Sequence, residues 1–172
     1  MSEIGEFDFL KIAVDVRKFE IENFWRRSLF FWGFIVASYA GYAQSKTVLT
    51  SSVITHFGFL ASFSWYLVNR GSKYWQENWE KKVENLERGL NLFRTKEKVE
   101  SHILGAGNFS VTKITTFLSL AVSLSWLVLV AGDYCQYGFR WTLAITSGVT
   151  IAGVLVLLFA CRSTDLSKMK AT

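Results

Sequence analysis

The sequence is poor in the residues that stabilise secreted scaffolds or build metal sites. Its 172 residues include no proline, two cysteines and two histidines. Two cysteines exclude a disulfide scaffold, and the scattered Cys and His positions give no zinc-ligand spacing. Charged residues make up only 19% of the chain, whereas soluble domains carry about 25%. Because 51% of the residues are hydrophobic, disorder is also excluded, and the composition favours a membrane protein.

Long uncharged apolar runs are the strongest feature that is present. A helix needs about 20 apolar residues to cross the hydrocarbon core. None of the runs contains Lys, Arg, Asp or Glu, and a chain this small has too little polar helix to bury them as a soluble bundle. The first is short unless Phe24 and Trp25 also enter the membrane. The four runs are approximately Ser28–Ala43, Val48–Val68, Ile114–Gly132 and Trp141–Cys161.

The positions of the basic residues predict the topology. Of the 19 Lys and Arg residues, only Lys46 and Arg140 lie in the two short loops between paired runs. The other 17 lie in the first 27 residues, in the segment 69–113 and in the tail 162–172, and basic residues stay on the cytoplasmic side. We therefore expect a multi-pass protein of the bacterial inner membrane with both termini inside. This account also explains the isoelectric point near 9.3, so we expect no nucleic-acid partner.

The predicted fold is an all-α membrane protein with four transmembrane helices arranged as two hairpins. Residues 1–27 form a cytoplasmic amphipathic helix, and residues 28–68 form the first hairpin. Residues 69–113 form a cytoplasmic helical segment that begins as a long extension of the second span. Residues 114–161 form the second hairpin, and residues 162–172 form a cytoplasmic tail.

The N-terminal helix has an unusually broad apolar arc. One series, which includes Phe9, Ile12 and Phe19, follows helical spacing, and a second series includes Leu10 and Val14. A helix lying on the lipid surface would use one face only, whereas a helix packed against protein would bury both. Six acidic residues in this segment oppose an anionic lipid surface, so the pattern favours packing against other helices.

Two features predict self-assembly. Beyond Trp75, apolar residues step by four and three along the extension of the second span, which is a heptad seam. Small residues recur at every fourth position in the first run, and such faces let helix backbones approach closely. Packing within one chain would explain these small faces equally well. The candidate interface residues are Trp75, Trp79, Val83, Leu86, Leu90, Phe93, Gly33, Ala37 and Gly41.

The second run is the most polar of the four and is the candidate wall of a permeation path. His56 is its one ionisable residue, and Ser51, Thr55 and Ser62 complete the pore-lining candidates. His56 would either face water and sense protons or, as a neutral side chain, bond a serine of a neighbouring helix. Asp133 is expected in the outer loop, where it would pair with Arg140.

No enzyme motif is complete in the sequence, and the pair Arg94 and His102 is spaced too widely for the ribonuclease motif that it resembles. There is no P-loop and no dinucleotide-binding glycine pattern, and no Ser, His and Asp set gathers on one side of the membrane. We expect no catalytic residue, no cofactor and no metal.

The stretch Trp65–Glu87, WYLVNRGSKYWQENWEKKVENLE, resembles the membrane exit of RipA-type bacterial inner-membrane proteins, which are described as octameric. It is also similar to the pore-forming membrane accessory protein of RNA-targeting CRISPR systems. The resemblance implies an octamer whose cytoplasmic helices assemble around an axis. It further implies membrane permeabilisation during defence against phage.

The sequence is consistent with three functions. The leading hypothesis is a homo-oligomeric pore or gated channel that acts as an anti-phage or stress effector, with the lipid bilayer and further copies of itself as partners. The alternative is a non-conducting scaffold or sensor that recruits a cytoplasmic defence protein. A proton-coupled transporter that uses His56 is less consistent with four spans that lack internal repeats.

The topology can be tested by labelling cysteines in intact cells, in a background without Cys135 and Cys161. A cysteine at Lys46 should react with a membrane-impermeant maleimide, whereas a cysteine at Glu87 should react only after the cells are opened. Labelling at position 87 from outside would contradict the predicted topology.

Overall fold

The computed structural model describes residues 5–90 and 110–161, which are helical except at short connections. No strand occurs among these residues, so the predicted all-helical class is confirmed. The helices are α1 (Glu6–Ala43), α2 (Val48–Gly89), α3 (Val111–Tyr137) and α4 (Trp141–Leu155). A π-helical turn, Val156–Ala160, continues α4.

Helix α1 joins two elements that the sequence analysis treats separately. The N-terminal amphipathic segment and the first apolar run form one helix of 38 residues. No proline interrupts it, and the connecting residues Phe24 to Ser28 all continue the helix. At 1.5 Å per residue, α1 is about 57 Å long.

Helix α2 has the predicted start. It begins at Val48 and continues for 42 residues to Gly89, so the helix does extend well beyond the second apolar run. The interface candidate Phe93, and the helix expected near residues 96–104, lie outside the described residues.

Three helices are long and apolar enough to cross a membrane: α2, α3 and α4 with its π-helical turn. Helix α1 does not meet this criterion, because its apolar run from Ser28 to Ala43 is shorter than the about 20 residues that a crossing requires. The fourth crossing, the two-hairpin layout and the cytoplasmic position of the α2 extension stay predictions.

The chain divides into two compact units. Unit 1 comprises Met1–Gly33 and Trp65–Ala121, and unit 2 comprises Phe34–Ser64 and Val122–Thr172. Each is described separately below, within the residues that the structure describes.

In unit 1, the first half of α1 packs against the second half of α2. Leu10 and Ala13 cover Val83, which is 2% exposed, and other apolar residues of both helices surround this contact. The surrounding residues are Val14, Trp79, Leu86 and Leu90. The seam predicted to pack between subunits is therefore covered, at least around Val83, by a helix of its own chain.

Polar contacts hold all three helices of unit 1 together. The Asn69 side chain of α2 donates to the Ser119 hydroxyl of α3 at 3.2 Å and to the Thr115 carbonyl at 3.3 Å. The Trp65 indole N–H of α2 donates to the Ser28 hydroxyl of α1 at 3.4 Å. Helix α2 thus contacts α3 through Asn69 and α1 through Trp65.

In unit 2, Trp126 of α3 lies at the centre of the packing. Its ring is fully buried and stacks on Tyr39 of α1 with 4.2 Å between centroids. A Cβ atom built at Gly58 of α2 would lie 2.5 Å from the same ring. Glycine at position 58 is therefore what allows α2 to approach α3 this closely.

Gly58→Ala should destabilise the protein because a rigid buried ring cannot yield to the added methyl group. Overpacking of this kind costs about 1–3 kcal/mol. Gly148→Ala in α4 is the control, because nothing lies within 4 Å of its added Cβ. Thermal unfolding in detergent should show a lower Tm for Gly58→Ala only, and equal Tm values for the two variants would contradict this packing.

Candidate functional site

Polar side chains gather on one face of α2 in unit 2. Ser51 and Thr55 are one helical turn apart, as are Ser52 and His56, so the four side chains form two adjacent rows along the helix. Each is 5% exposed or less. Since they lie within a candidate membrane span, their polar atoms must find partners on other helices or on the backbone.

Asp133 of α3 binds the first of these rows. The Ser51 hydroxyl donates to its Oδ1 at 2.7 Å, and the Thr55 hydroxyl donates to its Oδ2 at 3.2 Å. Asp133 itself is 1% exposed. Both carboxyl oxygens are therefore engaged by hydroxyls from consecutive turns of one helix.

The expected loop position of Asp133 is wrong. Helix α3 continues to Tyr137, so Asp133 lies on its last turn and faces α2. Arg140, its expected partner, instead donates from Nε to the Tyr137 carbonyl at 3.4 Å. The apolar run stops at Gly132, but the helix does not, and this extra turn carries the carboxyl into the helix interface.

His56 links α2 to both other helices of the site. Its Nδ1 lies 2.7 Å from the Ser52 carbonyl oxygen, which can only accept, so Nδ1 carries a hydrogen. Its Nε2 lies 2.9 Å from the Ser147 hydroxyl of α4, and that oxygen lies 2.9 Å from the Tyr134 hydroxyl of α3. The structure thus has His56 bonded to a serine on a neighbouring helix, which is one of the two arrangements expected from the sequence.

All four pore-lining candidates face the interior of their own chain. Ser62 is fully buried and donates to the Gly58 carbonyl at 2.9 Å, and Ser51, Thr55 and His56 have the partners given above. In this conformation Ser51, Thr55 and Ser62 are enclosed by the helices of unit 2, and His56 alone of the four lines an open cavity. The structure places them in a buried polar cluster of the single chain, and their role as the lining of a pore stays a prediction.

An open cavity of about 360 Å³ lies beside the cluster in unit 2. His56, Ser147 and Thr150 contribute its polar groups, and the other lining residues, such as Phe59 and Leu127, are apolar. The histidine is therefore the buried group of the cluster that lies next to open space.

The interface candidates outside the seam are partly open. A Cβ at Gly33 would meet nothing within 4 Å, whereas one at Gly41 would lie 3.3 Å from Ile54 of the same chain. Ala37 is exposed, and Trp75 is 44% exposed. Gly33, Ala37 and Trp75 thus keep free surface in the single chain, while Gly41 has an intrachain partner.

Among residues 5–90 and 110–161, no group of three His, Cys, Asp or Glu side chains is arranged to hold a metal ion. The cluster contains only one carboxyl and one imidazole, each bonded to hydroxyls or backbone. Its chemistry is that of proton exchange and hydrogen bonding.

Sequence reasoning missed Asp133, Tyr134 and Ser147 as members of the site. One available signal was the spacing of Ser51 and Thr55, which places two hydroxyls on one face and calls for a polar partner on an adjacent helix. A single sequence does not identify that partner, because a carboxyl at the end of an apolar run fits a loop equally well.

Asp133→Ala should destabilise the protein because it removes the buried carboxyl that joins Ser51 and Thr55 of α2 to α3. Of these two hydroxyls, that of Thr55 also donates to backbone carbonyls of its own helix. An unsatisfied buried polar group costs about 1–3 kcal/mol. Glu22→Ala is the control, since Glu22 is an exposed acidic residue of α1. Thermal unfolding in detergent should show a clear loss for Asp133→Ala alone, and an unchanged Tm for that variant would contradict the assigned contacts.

Comparison with known proteins identifies the family. The model of the octameric membrane protein family (8xMP) matches residues 7–135, which is three quarters of the chain. The chain belongs to this family and is thus an oligomeric membrane protein. The match includes Asp133 with its partners Ser51 and Thr55, and it ends before α4. No curated protein and no solved structure matches the chain significantly.

Proposed function

We propose that this member of the octameric membrane protein family forms a homo-oligomeric pore or gated channel in the bacterial inner membrane. The observation that carries the proposal is the buried cluster around Asp133 and His56. Ionisable residues are costly within membrane helices and commonly belong to ion or proton pathways. Packing alone would be served as well by apolar side chains.

The described conformation corresponds to a closed state in this proposal. The hydroxyls of the cluster are occupied within the chain, and the outward residues of the same helices, such as Val53, Phe57 and Val128, are apolar and about half or more exposed. Apolar constrictions stop ions by excluding water. Opening would therefore require a rotation or separation of helices that exposes hydroxyls of α2.

The proposed biological role is membrane permeabilisation in response to infection or stress, as the CRISPR-associated resemblance implies. The protein would act without catalysis of its own, and a cytoplasmic defence protein would supply the trigger.

A non-conducting scaffold that recruits a cytoplasmic partner is the second candidate. It is favoured by the complete burial of Ser51, Thr55, His56 and Ser62, because a polar cluster that only fixes helix packing needs no contact with water. The two candidates differ in whether the oligomer dissipates an ion gradient.

Ion flux through the purified oligomer tests the proposal. Liposomes that contain the protein and hold a potassium diffusion potential should lose that potential, as reported by a voltage-sensitive dye. Protein-free liposomes are the control for leak. An intact oligomer that leaves the potential unchanged, also after addition of cytoplasmic extract, would contradict the pore and favour the scaffold.

The polar cluster can be tested in the same assay. Thr55→Val keeps the side-chain volume but removes the hydroxyl that bonds Asp133, so it should reduce flux. Thr50→Val is the control, because Thr50 is exposed one turn away on the same helix. Equal flux from both variants would remove the cluster from the conduction path.

A further inference from the structure

Helix α1 carries a second apolar face that no residue of 5–90 or 110–161 covers. Phe9, Ile12, Val16 and Phe19 are spaced by three, four and three residues, so they share one side of the helix. Phe9 and Ile12 are each 51% exposed and Phe19 is 60% exposed. The intrachain contact uses a different side, on which Leu10 and Ala13 are buried.

Lipid is a poor partner for this second face. Helix α1 is unbroken from Phe9 to the start of its apolar run at Ser28. These 19 positions correspond to roughly 28 Å along the helix axis. A straight continuation of an inserted helix therefore lifts Phe9 and Ile12 away from the bilayer surface, so lipid does not cover them.

The contacts within unit 1 define which residues of α1 and α2 lie at the same height. Arg17 pairs with Glu80 at 3.9 Å, and Arg27 donates to Ser72 at 3.2 Å. The helices run antiparallel in this register. Asp15 therefore lies level with the region of Lys81.

Two helical turns further from Ser28, the same register places Asp8 level with the region of Arg88. All four charged residues, Asp8, Asp15, Lys81 and Arg88, are exposed. The two acids of α1 are seven residues apart, and so are the two bases of α2, so each pair forms a stripe along its helix.

Corresponding residues of neighbouring subunits in a ring lie at the same height above the membrane. Copies inserted in one orientation are related by rotation about an axis perpendicular to the membrane, so equal positions stay level. Such a ring uses two different faces of each subunit. An acidic stripe beside an apolar face on α1, and a basic stripe at matching heights on α2, provide two complementary faces.

We propose that, in the homo-oligomer, the second apolar face of α1 packs against the outer face of α2 of the neighbouring copy. Phe9, Ile12 and Phe19 are then buried between subunits. Asp15 lies opposite Lys81 of the next copy, and Asp8 lies opposite Arg88, which within its own chain also pairs with Glu84. The inference rests on family membership and on insertion of α1 in the membrane, and it does not depend on conduction.

Site-directed crosslinking in native membranes tests the contact. Ile12 lies level with Asn85, which is exposed on the outer face of α2. Full-length protein without Cys135 and Cys161, but with Ile12→Cys and Asn85→Cys, should give a ladder of covalent oligomers with a short bismaleimide. Each single-cysteine variant should give no ladder, because the contact joins unlike faces. A double variant that forms an intact octamer by native mass spectrometry but no ladder would overturn the proposal.

Charge and apolar substitutions give an independent test by native mass spectrometry. Ile12→Asp should abolish the octamer while leaving helix content by circular dichroism unchanged, since Ile12 lies outside the intrachain core. Lys11→Asp, an exposed neighbour, should leave the octamer intact. Asp15→Lys should weaken the octamer, and adding Lys81→Asp should restore it.

An octamer that survives Ile12→Asp would also overturn the proposal. Neither the crosslinking nor the native mass spectrometry depends on ion flux. An oligomer that crosslinks as expected but dissipates no gradient would therefore contradict the proposed pore and leave this interface standing.

Discussion

The need to satisfy polar atoms away from water governs the packing of unit 2. Hydrocarbon offers no hydrogen bonds, so each hydroxyl on a membrane helix bonds either its own backbone or a group on another helix. Ser62 and Thr150 take the first route and donate to carbonyls three or four residues earlier. Ser51 and Ser52 take the second, toward Asp133 of α3 and Thr146 of α4. The hydroxyls with cross-helix partners are the ones that specify how α2 is rotated against its neighbours.

The strength of these interhelical hydrogen bonds also decides how easily the helices of unit 2 can rearrange. An interhelical hydrogen bond in a membrane protein contributes about 0.6–2 kcal/mol. Ser51, Ser52, Thr55 and His56 each make such a contact with another helix, so breaking these contacts costs only a few kcal/mol. By contrast, the fit of Trp126 against Gly58 is steric and has no alternative arrangement at similar cost. A rearrangement that exposes hydroxyls is therefore more readily accommodated near Ser51 and Asp133 than at the level of Trp126.

Much of the fold follows from the apolar pattern, but the choice of partners does not. Uncharged runs and the missing proline predict the start of α2 and the three helices that meet the length of a membrane crossing. The pattern along Trp79 and Val83 correctly predicts a packed face, yet an apolar face is covered equally well by a second subunit or by α1. Asp133 shows the same limit, since a carboxyl that follows an apolar run suits a loop or one more helical turn. Contacts between distant elements decide both cases, and a single sequence contains no record of them.

The breadth of the apolar arc on α1 has a physical explanation in this arrangement. A helix that packs against one neighbour needs a single apolar stripe about 100° wide, and Leu10, Ala13 and Phe24 already supply it. Phe9, Ile12 and Phe19 extend the arc to a side that no described residue of the chain covers. A monomeric protein would gain solubility from polar residues at these positions. A subunit of a ring, by contrast, needs an additional apolar surface that contacts the next subunit. In the proposed interface, the additional breadth of the arc is the part of α1 that contacts the neighbouring subunit.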